Sequence, residues 1–269
     1  MHDRLSVSGL CFPGRSATDV QDAVAEIGAH HTTLQLPAVS EAGQVAVRGR
    51  SEALGVAVEA LIGGGGPVLD DQATWPAGAD RLTRAIDLAA GVGATTIYML
   101  TGSRQAAPWE DAVARFATFM APCLEHAASA GVALAVEPAN VLYADLTFVH
   151  SAAAAFRLVR QVPGMRVCLD LFHTWTEFDL RQSIMTGASL ISLVQVSDYV
   201  LGDRSLPARA VPGDGGVPIA GIVAWLEEAG YRGIIDLELN GPPIDAEGHR
   251  PAAERGARAL NRLLAAMAP

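Results

Sequence analysis

The sequence predicts an α/β chain folded as one closed (β/α)8 TIM barrel, and three observations carry that expectation. Its 269 residues match the size of a single such barrel, about 250 residues. Short apolar runs rich in Val, Ile and Leu alternate with stretches of helical periodicity, about eight of each, and repeated strand-plus-helix units build parallel sheets. Four late runs end on polar side chains able to do chemistry. VALAVEPAN (132–140) ends at Glu137, VCLDLFHTW (167–175) delivers Asp170 and His173, ISLVQVSDY (191–199) delivers Gln195 and Asp198, and IIDLELNG (234–241) delivers Glu238. Each is about one strand-plus-helix unit from the next, and barrel proteins keep their sites at the C-terminal ends of their strands. The domain spans 1–269, with little room for a second.

Taken in order, RLSVSGLCF (4–12) is the first strand, stopped by Pro13-Gly14. Residues 18–28 place Val20, Ala23, Val24 and Ile27 at helical spacing. HTTLQLP (31–37) is the second strand, ended by Pro37, and Ser40 caps a helix over 41–53. VAVEALIGGGG (56–66) is the third strand and runs into four glycines, a loop that is either a surface connection or lies close to a ligand. A helix over 80–92 precedes the fourth strand, TTIYMLTGS (95–103), and Pro108 opens a long helix over 109–130, closed by Gly131. Helices over 148–162 and 180–186 follow the fifth and sixth strands. The seventh strand leads into the loop LGDRSLPARAVPGDGGVP (201–218) and a helix over 219–229; after the eighth, a helix over 252–267 finishes the chain.

Composition narrows the partners. A net charge of −10 repels duplex nucleic acid and anionic membranes, so a small molecule is the expected partner. No apolar run reaches a transmembrane length, MHDRLSVSG lacks the layout of a secretion signal, and three unpaired cysteines, Cys11, Cys123 and Cys168, sit in apolar stretches. Together these lead to the expectation of a cytoplasmic protein. There is no GxxxxGK[ST] loop and no GxGxxG at a strand-to-helix turn, so nucleotide and NAD binding are unsupported.

Alternation along the strands groups Glu137 with Ala133 and Ala135, Asp170 with Cys168, Gln195 with Leu193 and Ser197, and Glu238 with Ile234 and Asp236. With the bulky alternate residues turned to the helices, these polar ends point over the lumen. Like charges brought together there need a cation, and an oxygen-rich set of two Glu, one Asp and one Gln suits Mg²⁺ or Mn²⁺ better than zinc. The expected metal ligands are therefore Glu137, Asp170, Gln195 and Glu238. Taken singly, each carboxylate could equally be a strand-end cap or half of an ion pair.

The ordered set VEPAN, LDLFH, VQVSD, VPGDG and LELN resembles the sugar-phosphate isomerase/epimerase superfamily of xylose-isomerase-like barrels over nearly the whole chain. The resemblance implies the same four metal ligands and a substrate contact at His173. Most members carry a His where this chain has Gln195; a Gln there is similar to the hydroxypyruvate-isomerase branch. Chelation of a carbonyl and its neighbouring hydroxyl would acidify the C–H between them, with Glu137 and Glu238 removing and returning the proton. His173 is either an acid at the substrate oxygen or a residue that orients a ligand. Arg204 and Arg209 either hold a substrate carboxylate or phosphate or offset local acids, and Phe12, Trp175 and Trp109 either wall a sugar or pack the core. The expected activity is isomerisation or epimerisation of a small α-hydroxy-carbonyl compound. A dehydratase or eliminating lyase on the same scaffold is the runner-up, a noncatalytic sugar-binding barrel the rival. By analogy with the family, a homo-oligomer is expected.

Overall fold

A computed structural model describes residues 1–64 and 66–267. Eight parallel strands close on themselves in chain order, from β1 next to β2 round to β8 against β1. They are β1 (Leu5–Ser8), β2 (His31–Gln35), β3 (Ala57–Gly64), β4 (Thr96–Met99), β5 (Ala133–Val136), β6 (Met165–Asp170), β7 (Ile191–Val196) and β8 (Ile235–Leu237). Around them run α1 (Ala17–Ile27), α2 (Leu36–Ala42), α3 (Gln44–Leu54), α4 (Trp75–Val92), α5 (Trp109–Ala130), α6 (Ala152–Gln161), α7 (Leu171–Thr174), α8 (Leu180–Gly187), α9 (Ile219–Glu228), α10 (Pro242–Glu247) and α11 (His249–Met267). Among the described residues no helix is long and apolar enough to cross a membrane. The three cysteines are free and buried.

The alternation read from the sequence separates two cores. Bulky residues such as Leu134, Val136, Val167, Leu169, Val194, Val196 and Leu237 face outward and pack with the helices. The lumen is filled by a smaller cluster of Ala60, Tyr98, Ala135, Cys168 and Leu193, with Ile62 and Ile234 against it. Ala135, Cys168, Leu193 and Ile234 are the predicted inward neighbours of Glu137, Asp170, Gln195 and Glu238. Register brings the polar ends level: Asp170 pairs with Gln195 and Gln195 with Asp236, while Glu137 and Glu238 extend the ladder by donating their amides to Met99 and Val196.

Several boundaries differ from the sequence reading. The expected helix over 41–53 is two helices, because Pro37 opens α2 inside the first turn and Gly43, at φ +81°, breaks the chain before α3. The long strand stretches 4–12 and 167–175 are each a strand followed by a tight turn. Ser8 caps a 3-10 turn over Gly9–Cys11, and the Asp170 carboxylate accepts the Phe172 amide to start α7. The third glycine of the run after β3, Gly65, lies outside the described residues.

The lumen leaves no slack beside Ala135, which is fully buried. Ala135→Leu is expected to overpack against Tyr98 and Cys168 and lower stability by about 1–3 kcal/mol, read as a fall in the urea midpoint at unchanged m-value.

Candidate functional site

The end of β5 delivers Glu137, β6 delivers Asp170, β7 Gln195 and β8 Glu238, as predicted, and all four meet at the barrel mouth with Arg209 among them. Arg209 is buried. Its Nη2 lies 2.6 Å from Asp170 Oδ2 and 2.7 Å from Glu238 Oε1, and Nη1 donates to Ser197 Oγ at 3.2 Å. The guanidinium also stacks on Phe172, 4.6 Å from the ring centroid. Of the two roles left open for Arg209, the structure displays the offsetting of local acids. Arg204, by contrast, is exposed and forms no ion pair among the described residues.

The loop that carries Arg209 is held by Asp198. Its Oδ1 accepts the amides of Tyr199 at 2.8 Å and Val217 at 2.9 Å, and Oδ2 accepts that of Gly213 at 2.9 Å. Its backbone pairs twice with Ala210, next to Arg209. A Cβ at Gly215 would lie 2.4 Å from Asp198 Oδ1, so this approach requires glycine. The amides of the PGDGG turn are used in part by the loop itself.

His173 sits on the one-turn helix α7, its Nε2 3.7 Å from Asp170 Oδ2 and 3.8 Å from Glu137 Oε1. The Asn140 amide donates to Nδ1 at 3.3 Å, which places the imidazole proton on Nε2, facing the carboxylates. Glu137, Asp170 and His173 each offer an atom within 4.8 Å of the others, a grouping able to hold a cation. His173 could join the ligands only if its Nε2 proton moved away, since Nδ1 is the nitrogen that accepts the Asn140 amide.

Gln195 is oriented differently from expectation. Its Nε2 donates to Glu238 and, at 2.9 Å, to the Tyr98 hydroxyl, while Oε1 accepts from the Cys168 thiol at 3.1 Å. A carboxamide presents its oxygen on the other side after a half-turn of its terminal torsion, so its use as a ligand requires that turn. Tyr98, which the sequence reading did not single out, also donates to Glu238 at 3.3 Å; its signal was the inward phase of β4, shared with Thr96.

Phe12 and Trp175 do not wall the carboxylates. Phe12 is buried in the outer core and Trp175 packs against that core beside Tyr199, because the strand ends turn into helices one residue after the site and carry both outward. Trp109 likewise stacks edge-on against Phe148. Besides Tyr98, the aromatic groups beside the site are Phe172 and Tyr143, both edge-on to His173. Outlying histidines have structural partners: His31 with Glu59, His126 with Asp87, and His150 with the Ala139 carbonyl. His249 and Arg250 pair with Asp245 and Glu254 around α11.

Electrostatics follow from burial. Burial, with Asp170 and Glu238 close by, pushes the Glu137 carboxyl well above its usual range, and burial likewise raises Glu238 despite Arg209. Burial would also raise Asp170, but Arg209, His173 and the Phe172 amide together hold it below the usual value. Burial lowers His173 to about 4, so its imidazole is neutral at pH 7. One layer deeper, burial pushes Asp236 up to about 8; Thr33 donates to its Oδ2 at 2.9 Å while Oδ1 has no partner. Three carboxylates thus crowd one guanidinium: Asp170 and Glu238 pair with Arg209, while Glu137, its side chain 13% exposed, lies beside Asp170 and His173. Fully ionised they would leave two negative charges, the charge of one divalent cation, and the donor set of carboxylates and carboxamide suits such an ion.

Removing the guanidinium tests the balance. Arg209→Met is expected to cost about 3–5 kcal/mol at pH 7 in metal-free protein, the penalty of stranding buried charge, measured by urea unfolding. Asp170 contributes stability above its ordinary value of 3.8 and loses it as pH falls below that, so the gap between variant and wild type narrows in acid.

Comparison with known proteins sets this site in a lineage. Curated protein sequences gave no match. Among solved structures, protein SMc04130 from Sinorhizobium meliloti 1021 superposes with a TM-score of 0.88 at 23% identity, over 97% of this chain and 98% of that one. The IolI protein with a bound zinc atom gives 0.85 at 14% identity, over 98% of both chains, and a D-allulose 3-epimerase from Methylomonas sp. gives 0.80 at 15%, over 97% of both. At these identities the likeness is one of fold. The family profile described as xylose isomerase-like TIM barrel matches residues 21–263, so the chain belongs to the xylose isomerase-like TIM barrel family.

Proposed function

We propose that this protein is a divalent-metal-dependent isomerase or epimerase of a small α-hydroxy-carbonyl compound, with Mn²⁺ or Mg²⁺ as its ion. The observation that carries the reading is the charge imbalance at the barrel mouth: three carboxylates around one guanidinium, at the strand ends where this fold keeps its chemistry. The family and its ketose-epimerase neighbours support it.

Glu137, Asp170, Glu238 and, after its half-turn, Gln195 would hold the ion. A hard dication bound there stabilises negative charge on adjacent carbonyl and hydroxyl oxygens. The remaining work falls to the chain's own groups. Glu137 opens on a cavity and has a raised affinity for protons, which suits a group that takes a proton from carbon and gives it back. Glu238, which shares Arg209 Nη2 with Asp170, is the second carboxylate available for that exchange. The neutral His173 presents Nε2–H toward the same space and can donate to a substrate oxygen without carrying charge. Return of the proton to the opposite face of the same carbon gives epimerisation, and delivery to the neighbouring carbon gives isomerisation.

Solvent-deuterium incorporation into a panel of ketoses, hydroxypyruvate and inososes tests the reading. Metal-dependent exchange at a carbon next to a carbonyl is expected, with the product distinguishing epimerisation, isomerisation and dehydration. Glu238→Gln should slow exchange by about a hundredfold or more while metal content, read by mass spectrometry, is retained. Full exchange activity in that variant removes Glu238 from proton transfer, and absence of exchange across the panel with metal bound counts against enediolate chemistry.

A further inference from the structure

Glu137 and Tyr98 form one end of a cavity of about 490 Å³ that runs outward between the loops after β3, β4 and β5. The volume lies within the range of about 300–1,000 Å³ typical of small-molecule sites. Beyond Glu137 its body is apolar, built from Ile62, Val68, Leu69, Met99, Leu100 and Leu146. Val68 and Leu146 are 54% and 47% exposed, large aliphatic side chains left in water at the rim of a hole that a ligand could close.

The cavity depends on two close backbone approaches. A Cβ on Gly66 would lie 2.3 Å from the Thr101 carbonyl carbon, and one on Gly102 would lie 2.2 Å from the Pro67 oxygen. The β3 and β4 loops can therefore touch along their backbones and turn side chains such as Val68 and Leu69 toward the space. The glycine run that the sequence left open, as surface connection or ligand contact, lines a cavity at Gly63 and Gly66.

Charge decides what this space accepts. Its charged lining groups among the described residues are Asp70, Glu137 and Asp145, all acidic, with no Arg or His, and the sequence contains no lysine. Of the nearby guanidiniums, Arg209 is already shared by Asp170 and Glu238, and Arg104, between the lining residues Ser103 and Gln105, donates to the Ala107 carbonyl. A phosphate or carboxylate placed in the outer part of the cavity, beside Asp70 and Asp145, would meet like charge with no cationic lining side chain to offset it. An apolar group would shed water from itself and from the aliphatic walls.

Resting on the enediolate reading above, we propose that the substrate is an uncharged, unphosphorylated α-hydroxy-ketone carrying an apolar or aryl substituent, with the hydroxy-ketone at Glu137 and the substituent in the cavity between the β3, β4 and β5 loops.

Calorimetric binding to the Mn²⁺-supplemented protein compares hydroxyacetone with its aryl analogue 2-hydroxyacetophenone, and dihydroxyacetone with dihydroxyacetone phosphate. The aryl ketone is expected to bind about tenfold tighter than hydroxyacetone or better, and the phosphate ester to bind more weakly than its parent. Val68→Asp/Leu146→Asp, at two rim positions already in water, should abolish the aryl preference without lowering the melting temperature. Equal affinity for the two ketones, preference for the phosphate ester, or an aryl preference that survives the double substitution each overturns the assignment. Deuterium exchange, followed in parallel, reports on the enediolate reading alone. Exchange without aryl preference sinks the pocket assignment only, and aryl preference without exchange sinks the chemistry only.

Discussion

Carboxylates taken out of water repel one another and hold their protons, and the mouth of this barrel gathers three of them around a single guanidinium. That constraint organises what lies around it. Arg209 is held where Asp170 and Glu238 can share it, Phe172 stacks on its face, and Asp198 ties down the loop that carries it with three backbone amides. Gln195, the one neutral member of the expected ligand set, turns its donor toward Glu238 and so relieves the same excess of negative charge. Burial strengthens these contacts and raises the penalty for any acid left without one.

The barrel provides the frame at little expense in bulk. Its lumen is closed by Ala60, Ala135 and Cys168 with the larger Leu193 and Tyr98, and the Tyr98 hydroxyl reaches up to Glu238 and Gln195. Small residues low in the lumen and bulky ones on the helix side keep the strand ends level, so side chains on neighbouring strands arrive at one height. The polar groups then belong to rigid elements, while the loops after β3 and β4 shape the approach. Precision of the reacting groups and freedom of the pocket are in this way assigned to different parts of the chain.

Much of this was legible in the sequence because period-two alternation is a strong signal. It gave eight strands, the inward faces of β5 to β8, and Glu137, Asp170, Gln195 and Glu238 at a common mouth. What escaped it lies where no period exists. Arg209 sits in an irregular loop, and its choice between substrate and neighbouring acids depends on distances that only the folded chain reveals. The turn of the Gln195 carboxamide depends on Cys168 and Glu238, partners remote in sequence. Phe12 and Trp175 looked available because aromatics near strand ends often are, but the tight turns started by Ser8 and Asp170 carry the chain away before either can face the site. The split of α2 from α3 was not legible because Pro37, which ends a strand in the sequence pattern, opens a helix in the fold.

The claim on which the account rests is that the acidic mouth is a cation site held in check by protons and Arg209. Calorimetric titration of metal-free protein with Mn²⁺ at pH 7, repeated in two buffers of different ionisation enthalpy, tests it most directly. The account predicts one ion per chain with net release of protons, because burial favours the protonated forms of Glu137 and Glu238 and an ion would favour the ionised ones. Absence of saturable binding, or binding with no proton release, would contradict it and leave Arg209 as the permanent counter-ion of a site that needs no metal.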